Sequence, residues 1–238
     1  MGIPKIVHQI WIGPNKQPDI WMNTVKDFCS KFGYEYVLWD NYASDNFPLK
    51  NRKEYDLIPL MCGKADILRY EILYKFGGIY IDADSVILNP EKLHVLISEF
   101  NSDCGFGWSQ PDKAVIANGV ILSSVNSAFM KECIEVISTI NVLASHPCVV
   151  TGPYMISDRF NKDREKFDIK LYDSSVFYPS GWWGTTTIDS HKTMKFPEES
   201  VMYQYGYSTN FLSDIIDGKH KSGKIPKLIF QQPFINRK

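Results

Sequence analysis

The segment ADILRYEILYKFGGIYIDAD, Ala65 to Asp84, leaves this chain few choices of fold. Ala65, Leu68, Ile72 and Phe76 recur at helical spacing, so Lys64 to Phe76 reads as a helix that Gly77-Gly78 ends. IYIDAD then reads as a strand. Successive strand side chains point to opposite faces, so Tyr80, Asp82 and Asp84 would share one side and Ile79, Ile81 and Ala83 the other. Two carboxylates spaced roughly 7 Å apart on such an apolar run repel each other unless a cation sits nearby. The fold must supply that partner.

Strand and helix signals alternate on both sides of this segment. KIVHQIWIG (Lys5 to Gly13) and YEYVLWD (Tyr34 to Asp40) read as strands. Between them DIWMNTVKDFCSKF spaces Ile20, Thr24, Phe28 and Phe32 as a helical stripe, with Gly33 as its stop. AVIANGVILS (Ala114 to Ser123) reads as a strand interrupted around Asn118-Gly119, followed by the helix SAFMKECIEVISTI. Farther on come a helical patch near Tyr154 to Asn161, a strand at DIKLYD and aromatic loops holding Trp182 and Trp183. This alternation predicts an α/β sandwich around a largely parallel sheet, whose ligands sit beyond the carboxyl ends of its strands. No repeat or linker divides the 238 residues, so one domain, 1–238, is expected, with a first half at about 1–125 and a second at about 126–238.

A net charge of -1 argues against nucleic acid as a partner. Five scattered cysteines without a CxxC pair argue against both a zinc site and a disulfide framework, and favour a reducing, cytoplasmic compartment. The first residues lack a signal-peptide core, and no apolar run reaches transmembrane length. A membrane-borne acceptor would therefore be met peripherally.

Hard divalent ions, Mn²⁺ or Mg²⁺, suit the aspartate pair, because they take oxygen ligands and keep positions open for diphosphate oxygens. A bare DxD also occurs by chance, as a strand end whose acids meet solvent. Asp66 and Arg69, spaced i,i+3 away from the apolar stripe, form either a surface ion pair or a pair aimed at the aspartate strand. Trp11, before Gly13-Pro14, either stacks on a nucleotide base or fills the core. His8 reads as a core or supporting residue.

Taken together, IPKIVHQIWIG and ADILRYEILYKFGGIYIDAD resemble the DXD-containing sugar-transferase family that includes the initiating α-1,6-mannosyltransferase and the inositol phosphorylceramide mannosyltransferases. The family is distantly similar to the glucosylating domains of clostridial toxins. Weaker matches continue through IANGVILS and TGP (Thr151 to Pro153). The resemblance implies a GT-A fold, a nucleotide-sugar donor (GDP-mannose or a UDP-hexose), Mn²⁺ or Mg²⁺ dependence, and retention of anomeric configuration. The acceptor would be a glycan or glycolipid. By the matched motifs Ile10, Trp11, Tyr80, Asp66, Arg69, Asn118 and Asp82 would bind the donor, with Asp66, Arg69, Asp82 and Asp84 at the reaction centre. Asp84 and Asp82 would hold the metal. Relatives close the site with a His followed by Ser-Trp, whereas this chain has YQYGYSTNFL, Tyr203 to Leu212. There Tyr205 or Tyr207 would take the histidine place, and Asn210, or else Ser208 or Thr209, would be the third metal ligand.

Two other readings compete. A haloacid-dehalogenase-type phosphatase would use Asp82 as nucleophile, Asp84 as acid and Ser123 as phosphate binder. A sugar-nucleotide-binding module of little activity would fit the altered C-terminal segment.

Overall fold

Six strands build the central sheet of the computed structural model, which describes residues 2–179 and 188–207. In chain order the elements are β1 (Ile6–Ile10), α1 (Asp19–Phe32), β2 (Glu35–Trp39), α2 (Asn41–Asn46), α3 (Arg52–Leu57), α4 (Met61–Phe76), β3 (Gly78–Ile81) and β4 (Ser85–Ile87). They continue with α5 (Pro90–Ser98), β5 (Cys104–Trp108), β6 (Ile116–Ser123), α6 (Ala128–Ile137), α7 (Pro147–Val150), α8 (Pro153–Asp163), β7 (Ile169–Tyr172), α9 (Ser174–Phe177) and β8 (Met202–Gln204).

The sheet order is β2-β1-β3-β6-β5-β7. The β1–β2, β1–β3 and β5–β7 pairs are parallel, while β6 runs antiparallel to both β3 and β5. The sheet is thus mixed and mostly parallel, as expected. The carboxyl ends of β1 and β3 meet on one edge, and reversal of β6 brings its early residues, Asn118 among them, to that same edge. A small second sheet, β4 with β8, lies just past it.

Strand parity assigns the two faces. Val7, Ile79 and Ile81 pack with Val25 and Phe28 of α1 and Leu93 and Ile97 of α5. Ile10 and Tyr80 pack in the other cluster, with Ile67 and Leu68 of α4 and Phe129 of α6. Asp82 follows Tyr80 by two and so faces the α4 side.

Four expectations change. The buried stripe of α1 is Trp21, Met22, Val25, Phe28 and Cys29, while Ile20 is exposed, because β4 and β8 add a second surface for the helix to cover. Helix α4 starts at Met61 and is buried almost all round from Asp66 to Leu73, so Asp66 and Arg69 do not lie on a solvated face. Strand β3 stops at Ile81, and Asp84 stands in the turn before β4, placed by that turn rather than by strand parity. Finally, β6 is continuous. The interruption at Asn118-Gly119 is instead a shift against β5, whose Phe106 pairs with Ile121 and whose Gly107 pairs with Ala117.

The connection from α4 to β3 depends on glycine. Gly78 has φ +91°, and a Cβ there would stand 2.5 Å from the Ile6 carbonyl oxygen. Only glycine lets β3 lie this close to β1.

Candidate donor and metal site

Arg69 organises the edge. It is 5% exposed, and its guanidinium lies 3.3 Å from Asp66 and 3.2 Å from Asp82 Oδ1. It also sits over the Tyr80 ring, 4.4 Å from the centroid, and donates to the Asn118 carbonyl. A planar fork of five donors can serve several acceptors at once, which an ammonium could not do from one position.

Asp66 is fully engaged. Its carboxylate accepts from Asn118 Nδ2 at 2.8 Å and from Thr151 Oγ1 at 2.9 Å. Tyr70 ties these together, accepting from Asn118 Nδ2 and donating to the Thr151 carbonyl. Burial pushes the Asp66 carboxyl up to about 6, against the opposing pull of Arg69 and of the Thr151 and Asn118 hydrogen bonds.

The two motif aspartates keep some exposure, Asp82 at 21% for its side chain. Each has one oxygen fixed by the surrounding protein. Asp82 Oδ1 accepts from Tyr80 Oη at 2.6 Å and meets Arg69. Asp84 Oδ2 accepts from the Tyr207 amide at 2.6 Å. The other two oxygens, Asp82 Oδ2 and Asp84 Oδ1, converge on Gln204 Nε2, at 2.7 and 3.2 Å. Burial first, then the Asp82 charge, raises the Asp84 carboxyl to about 6, opposed by the Tyr207 amide and Gln204. Behind them Gln9 donates to the Asp82 carbonyl and accepts from Tyr36 Oη.

Gly119 makes room for this meeting. A Cβ on it would lie 2.7 Å from Asp82 Oδ2 and 2.9 Å from Gln204 Oε1. The segment after β8 wraps the motif turn, with the Tyr205 amide donating to the Asp84 carbonyl. Tyr205 stacks on Trp21 at 4.5 Å, and Tyr207 meets the edge of Trp11 at 5.1 Å.

Among the described residues no three or more His, Cys, Asp or Glu side chains cluster as a metal cage. The donor chemistry nevertheless suits a hard divalent ion: two carboxylate oxygens turned to one point, beside partly open space that diphosphate oxygens can share. Asp82 and Asp84 would hold it.

Asp66, Arg69, Asp82, Asp84 and Asn118 therefore come together. Trp11 is half-buried just past the end of β1, packed against the cluster of Trp21, Tyr205 and Tyr207, with its Nε1 donating to the Asn15 carbonyl. Ile10 and Tyr80 are 5% and 1% exposed, packed in the core behind the edge. Tyr80 touches the edge through Arg69 and Asp82. Asn210, Ser208 and Thr209 lie outside the described residues, as do Trp182 and Trp183. Gln204, Gln9, Tyr70 and Thr151 were missed as site residues. Each stood in a quoted segment (Gln204 in YQYGYSTNFL, Gln9 in KIVHQIWIG, Tyr70 in ADILRYEILYKF and Thr151 in TGP), but only the fold brings them to the edge.

The phosphatase reading fails on topology. Ser123 pairs with Gly78 at the start of β3, whereas Asp82 lies beside Gly119 past its end. Because β6 is antiparallel, the serine is roughly 13 Å down the strand from the aspartate. Ser123 is also fully buried, donating to the Ser124 carbonyl.

This edge, with paired acids beyond a mostly parallel sheet and a buried Arg–Asp pair behind them, defines a GT-A-type α/β protein. Residues 16–102 match the family described as glycosyltransferase sugar-binding region containing DXD motif. Uncharacterized glycosyltransferase L373 of Acanthamoeba polyphaga mimivirus is 30% identical over 191 residues, covering 74% of this chain and 73% of that one. The chain belongs to the DXD-containing glycosyltransferase family. Inositol phosphoceramide mannosyltransferase 3 of Schizosaccharomyces pombe is 40% identical over 88 residues, 35% of this chain and 24% of that protein. The matched region is thus only about a quarter of that relative's length. Among solved structures, a glycosyltransferase involved in the glycosylation of the major capsid of PBCV-1 superposes with a TM-score of 0.50 at 11% identity. It covers 85% of this chain and 95% of that one, a likeness of fold.

Proposed function

We propose that this chain transfers a hexose from a nucleoside-diphosphate sugar to a hydroxyl of a glycan or glycolipid, with retention at the anomeric carbon. The observation that carries the reading is the buried Asp66–Arg69–Asp82 chain, braced by Asn118, beside a second aspartate whose outer oxygen converges with that of Asp82 on one point. Buried, paired charge ending at the carboxyl edge of the sheet suits a polar sugar and a diphosphate. Relatives that are inositol phosphoceramide mannosyltransferases favour a mannosyl donor and a lipid-linked acceptor. A UDP-hexose remains the rival donor.

Mn²⁺ or Mg²⁺ at Asp82 and Asp84 would supply positive charge against the departing diphosphate. The residues of the chain do the rest. Trp11 offers an aromatic face to the base. Asp66 and Asn118, each already hydrogen-bonded to the other, brace the wall of the sugar site, and Arg69 holds Asp66 and Asp82 in register. Asp66 and Asp82 are already committed to Arg69, which lowers their nucleophilicity and favours front-face attack. In that step the bond from the acceptor oxygen to the anomeric carbon forms as the bond to the diphosphate breaks. The acceptor proton passes to the departing phosphate oxygen, through a transition state of oxocarbenium character.

Manganese-dependent hydrolysis of a nucleotide sugar, without activity on simple phosphate esters, tests the activity and separates it from phosphatase and binding-module readings. Recovery of a glycosyl adduct on Asp66 or Asp82 by mass spectrometry during turnover would refute the front-face step.

A further inference from the structure

We propose that Gln204 is a protein ligand of the divalent ion, and that its amide takes two roles. It acts as hydrogen donor to both motif aspartates when the ion is absent, and as oxygen ligand when the ion is bound. This rests on the donor-site reading above and names a residue outside the DXD motif that completes it.

The argument comes from how the four carboxylate oxygens are used. Asp82 Oδ1 is occupied by Tyr80 and Arg69, and Asp84 Oδ2 by the Tyr207 amide. The remaining pair, Asp82 Oδ2 and Asp84 Oδ1, meet one atom, Gln204 Nε2. A side-chain amide nitrogen carries two hydrogens, one for each carboxylate, so it can hold two like charges together without itself being charged. A cation serving both oxygens would displace that nitrogen and lie between the carboxylates and the amide. Rotation of the amide about Cγ–Cδ exchanges its nitrogen for Oε1, the kind of hard oxygen that Mn²⁺ and Mg²⁺ accept. The backbone fixes the side chain where it can do this: Gln204 pairs with Ser85 on β4, the residue next to Asp84. Gly119 lacks the Cβ that would crowd Gln204 Oε1 and Asp82 Oδ2.

The chemistry also explains a glutamine here in place of an acid. A third carboxylate would bind the ion more strongly but leave three negative charges together in its absence.

Titrating the full chain with Mn²⁺, followed by electron paramagnetic resonance with and without UDP or GDP, tests the proposal. Gln204→Ala is expected to weaken Mn²⁺ binding about 10-fold, and Gln204→Glu to tighten it by a similar factor. In EDTA Gln204→Glu should melt below wild type, and Mn²⁺ should close that gap. Unchanged or tighter Mn²⁺ binding by Gln204→Ala, with wild type binding normally, overturns the role of Gln204 and leaves the donor site standing. Failure of wild type to bind Mn²⁺ with either nucleotide overturns both.

Discussion

Arg69 has no exposed alternative for its charge, and neither has Asp66. Removing the guanidinium therefore strands two carboxylates. Arg69→Ala should cost about 3 kcal/mol or more of unfolding free energy in urea titrations and abolish donor binding. His8 gives a cleaner residue-level experiment. Its Nε2 lies 3.0 Å from the Gly77 carbonyl, which only accepts, and its Nδ1 faces Trp39 Nε1, which only donates. The ring is therefore neutral with its proton on Nε2, and burial lowers its pKa to about 4. The unfolded chain takes up that proton near the ordinary 6.5, so the folded state loses stability as pH falls from there towards 4. Asp66, raised to about 6, acts with the opposite sign over an overlapping range, so wild type must be compared with a variant. The stability of wild type relative to His8→Gln should fall by about 3 kcal/mol from pH 7 to pH 4. A pH-independent difference would refute this assignment. The sequence suggested His8 as a core or supporting residue because no companion with ligand spacing stands nearby. Its partners, Gly77 and Trp39, come from a helix end and another strand and carry no sequence signal.

At the scale of elements, the α4–β3 connection carries Arg69 and Asp82 into contact. Gly78→Ala would force a side chain against the Ile6 carbonyl at a φ of +91°. Loss of about 3 kcal/mol is expected, measured by chemical denaturation, with Mn²⁺-supported donor binding falling alongside as β3 is pushed off β1. Helix α4 shows where periodicity misleads. Its Ala65, Leu68, Ile72 and Phe76 suggested one apolar stripe, yet Asp66, Arg69 and Glu71 are buried as well. A helix covered by the sheet on one side and by α6 and α7 on others has no solvent face at its centre, so its polar residues must find internal partners. Asp66 and Arg69 find each other, and Glu71 accepts from the Lys50 and Asn51 amides.

For the whole molecule, ligand binding should appear as stability. At a donor concentration 100 times the dissociation constant, linkage contributes about 2.7 kcal/mol, which for a chain of this size raises the melting temperature by about 5–10 °C. A panel of GDP- and UDP-sugars with Mn²⁺ should show this shift for one base, and Asp82→Ala with Asp84→Ala should remove it. Retention of the full shift in that double variant would sink the donor-site assignment. Sequence alone determined the helix-to-strand unit, the parallel character of the sheet, and the cluster Asp66, Arg69, Asp82, Asp84 and Asn118. The first two follow from periodicity and glycine breaks, which are local properties. The cluster came from the resemblance to the DXD-containing family, since spacing alone left Asp66 and Arg69 open to a surface ion pair. Only the tertiary structure decided that β3 ends before Asp82, that Ser123 lies at the wrong end of the strand, and that Gln204 closes the aspartate pair. Each of these depends on which strand lies beside which and in what direction, and chain direction between distant segments leaves no trace in local residue pattern.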